Sequence, residues 1–153
     1  MTADVLRMTA AQYRARFLAD MSEDTVQRSI VVFLETLPPP PVGPWWTAVN
    51  PLPGKKSKAA AGRAKWLGLV AGAPDLVFCW SAQFAGCEVK RPKGGRLSVD
   101  QLTAHALIGQ AGGAVGVVRS LSEFIAWMSA TYPAEWPAVA RFVPRVWPWW
   151  ETP

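Results

Sequence analysis

The first clear element of the chain has apolar residues at helical spacing. Between Val26 and Leu37 they recur every three or four positions, which places them on one face of an α-helix. Ser22 is a favourable N-cap residue, and two acids follow it in the turn where the helix dipole favours negative charge. Four prolines at positions 38–41 cannot continue a helix. The pattern therefore predicts a helix from Ser22 to Leu37.

The middle of the chain has the shorter apolar runs that are typical of strands. We predict a short strand over 45–49, then a loop rich in Pro, Gly and Lys with a helix from about Ala59 to Leu67. Residues 75–80 are almost all apolar, as expected for a strand covered on both faces. A third strand over about 84–90 follows a turn at Ser81-Ala82, so these two strands should form an antiparallel hairpin.

Two further helices and one strand complete the pattern. A capping box, Ser98 to Gln101, opens a helix that stops at Gly112-Gly113. Residues 114–118 form a fourth strand, and the helix before it is long enough for a parallel crossover. A second capping box, Ser120 to Glu123, opens a helix to about Ala130. The chain is thus predicted to be an α/β protein with one mixed sheet of about four strands and helices on both sides.

Length and composition fit one folded domain with two extensions. The chain has 153 residues, of which 50% are hydrophobic and 18% charged, which excludes a wholly disordered chain. We divide it into an N-terminal extension (1–20), a central domain (21–131) and a tail rich in Trp and Pro (132–153), whose prolines should prevent a regular helix. No apolar run reaches the ~18 residues of a membrane span and the first 20 residues lack a signal-peptide core, so we expect a cytoplasmic protein.

The stock of cysteine and histidine excludes several kinds of site. Cys79, Cys87 and a single histidine, His105, are too few for a disulfide framework or a zinc site. Both cysteines have apolar neighbours in the sequence, and we expect both to be buried and to act as small hydrophobic side chains. A Ser-His-Asp triad would have to use His105, and no G-x-S-x-G turn supports one.

Basic residues are concentrated in one segment. The net charge of the chain is +5, but residues 55–96 alone hold nine basic residues and two acids, a net +7, while the segments on either side sum to −1 each. A segment this basic indicates a polyanionic partner, most simply nucleic acid. A solvated basic surface is the alternative, although it does not account for the positions of the two acids, Asp75 and Glu88.

These two acids are the strongest candidates for chemistry. Asp75 opens one strand of the predicted hairpin and Glu88 lies near the end of the other, so both come to the same end of the sheet. Lys90 shares the face of Glu88, because side chains alternate along a strand. A buried Glu–Lys pair with a purely structural role stays open. Asp75 adds a second negative charge, which a bound Mg²⁺ would neutralise. Its ligands would be these carboxylates, waters and phosphate oxygens of a substrate.

The residues resemble the PD-(D/E)xK nuclease motif, with Pro74-Asp75 followed by Glu88-Val89-Lys90. The surrounding sequence resembles one branch of that superfamily, VRR-NUC, the virus-type replication and repair nuclease module that is common as a small stand-alone phage protein. The resemblance covers roughly residues 22–128. It is carried by Gly72 to Leu76, Glu88 to Pro92, Gly94 to Ser98 with Gln101, Val117 to Ser120 and, upstream, Asn50-Pro51, Lys55-Lys56 and Lys65 to Gly68.

The resemblance implies a restriction-endonuclease-like fold and divalent-metal cleavage of DNA phosphodiester bonds. It implies that Asp75, Glu88 and the backbone carbonyl of Val89 bind Mg²⁺ or Mn²⁺, and that Lys90 is the catalytic lysine. Gln101 matches a polar residue that faces the family's site, in addition to its capping role. No organic cofactor and no membrane partner are expected.

Two residues of the first helix also match the family. Glu23 and Gln27 lie on a face that becomes apolar further along the helix, and they match an acidic and an amide position. An acid that compensates the helix dipole, next to a solvated amide, is the alternative. Two prolines follow Asn50 where the family has a looser loop, which argues against a substrate role for Asn50.

The basic residues are expected to contact DNA phosphates, which positions a duplex without reading its sequence. They are Lys55, Lys56, Lys58, Arg63, Lys65, Arg91, Lys93 and Arg96. Trp45 and Trp46 are expected to belong to the core or to an interface, and stacking on unpaired bases is the alternative.

Together these features predict a metal-dependent endonuclease for branched DNA, in particular four-way (Holliday) junctions, in a bacterial or phage-infected cell. The alternatives are a catalytically weak DNA-binding module that docks to a replication or repair complex, and a nuclease for flap or splayed-arm DNA. The resemblance implies a homodimer, and the tryptophans of the tail are expected to help hold it together. A tail that wraps its own domain is the alternative.

Overall fold

A computed structural model of the chain describes residues 21–49, 66, 68 and 70–143. The N-terminal extension, the helix predicted near Ala59 to Leu67 apart from residue 66, and the last ten residues of the tail lie outside this part of the chain. None of the described helices is long and apolar enough to cross a membrane.

The described residues form one mixed four-stranded sheet flanked by helices, which confirms the predicted α/β fold class and is consistent with a restriction-endonuclease-like fold. The strand order is β1-β2-β3-β4, with β1–β2 and β2–β3 antiparallel and β3–β4 parallel. In chain order the elements are α1 (Glu23–Thr36), β1 (Trp45–Ala48), β2 (Leu76–Trp80), β3 (Gln83–Val89), α2 (Val99–Gln110), β4 (Ala114–Val118), α3 (Leu121–Thr131), α4 (Trp136–Val139) and a 3₁₀ turn (Ala140–Phe142).

The hairpin of β2 and β3 turns as the sequence predicts. Ser81 and Ala82 connect the strands with φ of 48° and 64°, and two successive residues with positive φ characterise the two-residue turn whose twist matches that of the strands. Leu76 pairs with Cys87 at one end of the hairpin and Trp80 with Gln83 at the other. The start of β2 therefore lies beside the end of β3.

Side-chain caps fix the helices at the predicted residues. The Ser22 hydroxyl accepts a hydrogen bond from the Thr25 N–H at 3.1 Å, and the complete capping box of Ser98 and Gln101 is present. The second box differs from the prediction. Its Ser120 hydroxyl caps the helix, but the Glu123 carboxylate accepts from the backbone N–H of Arg119, at 2.8 Å, one residue before the N-cap.

The main hydrophobic core lies between one face of the sheet and the helices α1 and α3. Ile30 and Phe33 of α1 and Phe124 of α3 pack with Phe78 of β2 and Cys87 of β3. Cys87 is buried, as predicted, whereas the prediction that Cys79 is buried is wrong.

Cys79 is exposed because neighbouring residues of a strand point to opposite faces. Phe78 enters the core, so Cys79 faces away from it. An apolar run such as β2 does not reveal that its second face is only partly covered.

The chain beyond α3 continues to pack on this core. Tyr132 and Val139 are fully buried, and the Tyr132 ring lies 5.4 Å from that of Trp80. The prediction that this region has no regular helix is wrong for α4. A proline in the first turn does not interrupt a helix, and the proline of α4 lies there. Residues 132–143 are thus packed against the domain.

Candidate active site

The register of the hairpin brings Asp75 and Glu88 together. Leu76, the first residue of β2, pairs with Cys87 in the antiparallel hairpin. Asp75, which precedes Leu76, therefore lies opposite Glu88, which follows Cys87. An Asp75 oxygen accepts a hydrogen bond from the Val89 N–H at 2.8 Å. The convergence expected from the sequence is therefore present in the structure.

Two glycines allow the close approaches that hold this corner. A Cβ at Gly86 would lie 2.5 Å from Cγ of Pro74, so the proline before Asp75 rests directly on β3. Gly72 has a φ of +78°, and a Cβ there would collide with the backbone oxygen of Asp100. The loop that leads to Asp75 is therefore packed on the start of α2, which brings Gln101 to the same site.

Glu88 is a fully buried carboxylate, with a relative exposure of 0%. Its Oε1 accepts a hydrogen bond from Lys90 Nζ at 2.6 Å and another from the Gln101 side-chain amide. Its Oε2 is buried and has no hydrogen-bond partner among the described residues. An unpartnered buried oxygen costs free energy. The arrangement thus holds one carboxylate oxygen in place and leaves the other available to a ligand.

The electrostatics of the site disfavour an ionised Glu88 in the metal-free protein. Burial is the largest effect on the pKa of Glu88 and raises it, the ammonium group of Lys90 lowers it, and the negative charge of Asp75 raises it, so that the resulting pKa is about 7. One lysine does not compensate for two carboxylates in this environment. A divalent cation beside Glu88 would stabilise its charged form.

The residues fit a hard divalent cation of the Mg²⁺ type. Mg²⁺ is usually held by one or two carboxylates together with waters and substrate phosphates, and the site offers Asp75 and the Oε2 of Glu88. Among the described residues, no group of three or more His, Cys, Asp or Glu side chains is arranged to hold a metal ion.

Gln101 combines the two roles considered for it. Its amide oxygen accepts from the Ser98 N–H at 2.8 Å, and its amide nitrogen donates to Glu88. The capping box therefore fixes the orientation of a side chain that contacts the candidate metal ligand.

The first helix reaches the edge of the site through Glu23. The Glu23 Oε1 accepts a long hydrogen bond, 3.4 Å, from the backbone N–H of Arg91. Gln27 lies one turn further along the same helix and is half-buried. The structure places Glu23 next to the segment that follows Lys90, whereas it shows no comparable contact for Gln27 within the described residues.

A polar groove beside the site carries three of the predicted DNA-binding residues. Arg91, Lys93 and Arg96 line it together with the N-terminus of α1, and its volume is about 890 Å³. All three side chains are exposed. The other five basic candidates, Lys55, Lys56, Lys58, Arg63 and Lys65, lie outside the described residues, as does Asn50.

The two neighbouring tryptophans of β1 have different environments. Trp46 packs against the core, as predicted, whereas Trp45 points to the other face of the sheet and is 55% exposed. Alternation along the strand separates them.

His105 is a neighbour of the site that was not predicted from the sequence. It lies on α2 one turn after Gln101, and its Nε2 is 4.0 Å from Oε2 of Glu88. Burial and the nearby positive charge of Lys90 lower its pKa, which favours a neutral imidazole. The signal was present in the sequence, because residues four apart share one face of a helix.

The chain has no significant match to any protein-family model, curated protein or solved structure.

Proposed function

We propose that the protein is a divalent-metal-dependent endonuclease that hydrolyses phosphodiester bonds in branched DNA. The observation that carries this proposal is the buried Glu88, which has one oxygen held by Lys90 and Gln101, its other oxygen without a partner in the part of the chain that the structure describes, and Asp75 directly opposite. A structural Glu–Lys pair alone would be more stable without a second carboxylate beside it. The motifs around Asp75 and Glu88, which resemble the VRR-NUC nucleases, support the same chemistry.

In this proposal Asp75, Glu88 and the Val89 carbonyl hold Mg²⁺ or Mn²⁺. Such a cation, when bound, polarises a phosphodiester and lowers the pKa of a coordinated water. Lys90 is the catalytic lysine, and its ammonium group stabilises charge that develops on the scissile phosphate. Gln101 orients Glu88 through its amide nitrogen. Glu23 and Gln27 are proposed to support the site from α1.

Binding of DNA is assigned to the basic surface beside this site. Arg91, Lys93 and Arg96 follow Lys90 in the chain and line the polar groove, so they can neutralise phosphates next to the scissile bond. The remaining basic candidates, Lys55, Lys56, Lys58, Arg63 and Lys65, are proposed to contact phosphates further along the duplex. Contacts of this kind favour a DNA shape over a DNA sequence.

The test is cleavage of a panel of end-labelled DNAs by the purified full chain. Four-way junction, flap, splayed-arm and linear duplex DNA are each incubated with Mg²⁺, with Mn²⁺ or with chelator. We expect metal-dependent cutting that is strongest on the four-way junction. Preferential cutting of flap or splayed-arm DNA would change only the substrate. Binding without cleavage in either metal would overturn the nuclease proposal in favour of a DNA-binding module.

The homodimer stays a prediction, since two sites related by a dyad suit paired cuts in a junction. Because Tyr132 and Val139 are buried in the domain, the role of the tail is best tested by removing only the residues after Val143. Light scattering should show a dimer for the full chain and a weaker one for the shortened chain. A monomeric full chain contradicts the dimer, and equal dimerisation of both chains contradicts only the role of the tail.

A further inference from the structure

Two buried polar atoms face each other without a hydrogen bond on the side of Glu88 that Lys90 and Gln101 leave open. They are Oε2 of Glu88 and Nε2 of His105, and each lacks a partner among the described residues. The His105 side chain is only 12% exposed. Leaving either atom unpaired costs free energy, so a structure that keeps both in this position points to a group that binds between them.

The distance between Oε2 of Glu88 and Nε2 of His105 determines the size of the group that can bind between them. At 4.0 Å they are too far apart for a direct hydrogen bond, and one bridging oxygen spans such a distance. Mg²⁺ gives up its waters reluctantly and keeps several of them when it is bound by protein. Each of these waters needs acceptors, and a neutral imidazole nitrogen is one.

We propose that His105 is a positioning residue of the cation site, whose Nε2 holds a water ligand of the divalent cation that Glu88 binds. This inference rests on the proposed function, because it needs a cation at Glu88. Gln101 and His105 then contact the site from successive turns of α2. Gln101 fixes the Glu88 carboxylate through its Oε1, and His105 holds the water on the side of Oε2.

The single histidine of the chain makes this proposal directly measurable. The untagged protein with ¹⁵N-labelled histidine gives imidazole signals that come from His105 alone. Mg²⁺ is added to metal-free protein while the Nε2 and Nδ1 resonances are recorded, and calorimetry follows binding independently. We expect Mg²⁺ to shift the Nε2 resonance in the wild-type protein, and Mn²⁺ to broaden it strongly because the metal is close.

Substitutions test the contribution of His105 to Mg²⁺ affinity independently of the other residues of the site. His105→Ala should weaken Mg²⁺ binding by about 10- to 100-fold, as loss of an outer-shell partner does, and His105→Gln should restore part of the affinity. Thr103→Ala is the matched control, because Thr103 lies on the exposed side of the same helix. Thermal unfolding of all variants distinguishes lost affinity from lost fold.

The outcomes distinguish this inference from the proposed function. If Mg²⁺ binds in a manner that Glu88→Gln abolishes, yet the imidazole signals of the wild-type protein do not change, the assignment of His105 is overturned and the cation site stands. If neither Mg²⁺ nor Mn²⁺ binds to the wild-type protein, both the assignment and the metal-dependent nuclease are overturned. Equal affinity in the His105→Ala and wild-type proteins also overturns the assignment.

Discussion

The two faces of β3 are both buried towards the end of the strand but are chemically opposite. Ala85, Cys87 and Val89 enter the core between the sheet and the helices α1 and α3, while Glu88 between them points to the other face and is also fully buried. The buried β3 side chains of the core face are apolar or, in Cys87, a thiol whose pKa is raised by burial, which keeps it neutral. On the other face the buried side chain is the carboxylate of Glu88, paired with the ammonium group of Lys90.

Burial has different energetic consequences on the two faces. Apolar burial on the core face stabilises the fold. On the other face, enclosing Glu88 beside Asp75 disfavours folding and is offset only in part by Lys90 and Gln101. Sites that need perturbed carboxylates are typically arranged in this way. The faces should therefore respond in opposite ways to substitution, one through stability and the other through activity.

The largest contrast is expected in cleavage. Asp75→Ala, Glu88→Ala and Lys90→Ala should each reduce DNA cleavage by about 10³-fold or more, because each removes a proposed metal ligand or the catalytic lysine. Cys87→Ala, one residue from Glu88 on the core face, is the matched control and should retain cleavage. Single-turnover rates at saturating metal measure the effect, and circular dichroism verifies the fold. Unimpaired cleavage by any one of the three removes that residue from the proposed site.

The reverse contrast is expected in stability. Phe124 is fully buried and its ring contacts those of Phe33, Phe78 and Trp127. Phe124→Ala should lower the free energy of unfolding by about 3–5 kcal/mol, because it removes transfer free energy and leaves a cavity. Urea unfolding measures the loss. A much smaller loss would mean that the helices can close over the space and that this face is less tightly packed than the structure indicates.

The charged face should make the metal-free protein less stable as the pH rises. The pKa of Glu88 is about 7 in the folded protein against an ordinary value of 4.5, so the folded state binds the additional proton between these values. Stability then falls as pH rises from about 4.5 to 7 and stays lower above that range. The contribution is about 3 kcal/mol, from 1.36 kcal/mol per unit of pKa.

Glu88→Gln, which does not titrate, is the reference for that measurement. Urea unfolding in chelator at several pH values between 5 and 8 should show the wild-type protein losing stability relative to the variant. The lowered pKa of His105 acts with the opposite sign in this range, and it is common to both proteins. A wild-type protein that gains stability relative to Glu88→Gln as pH rises would contradict the assignment of a raised pKa.

The sequence was sufficient for the parts of the molecule that local rules determine. Ser22, Ser98 and Ser120 predicted three helix starts because a side-chain oxygen at the N-cap satisfies free N–H groups nearby. The meeting of Asp75 with Glu88 followed from the hairpin, since a short turn places the start of one strand beside the end of the next.

The parts that sequence analysis missed depend on what covers each element. The exposure of Cys79 could not be predicted, because an apolar strand has the same pattern whether one face or both are covered. The place of His105 depends on α2 lying against the Glu88 face of the sheet. The sequence puts Gln101 and His105 on one face of that helix, but only tertiary packing determines that this face meets the site.

The smallest effect is expected at the N-cap of α2, where one substitution should change stability alone and another should change both stability and cleavage. The Ser98 hydroxyl accepts from the Gln101 N–H at 3.2 Å, while the Gln101 amide oxygen is held by the backbone N–H of Ser98. Ser98→Ala removes only the first bond, so it should cost about 1 kcal/mol of stability and leave the Gln101 amide directed at Glu88. Gln101→Ala should lose cleavage as well as stability. Thermal unfolding and single-turnover cleavage measured on both variants separate the roles, and a Ser98→Ala protein as impaired in cleavage as Gln101→Ala would show that the cap hydroxyl itself holds the site.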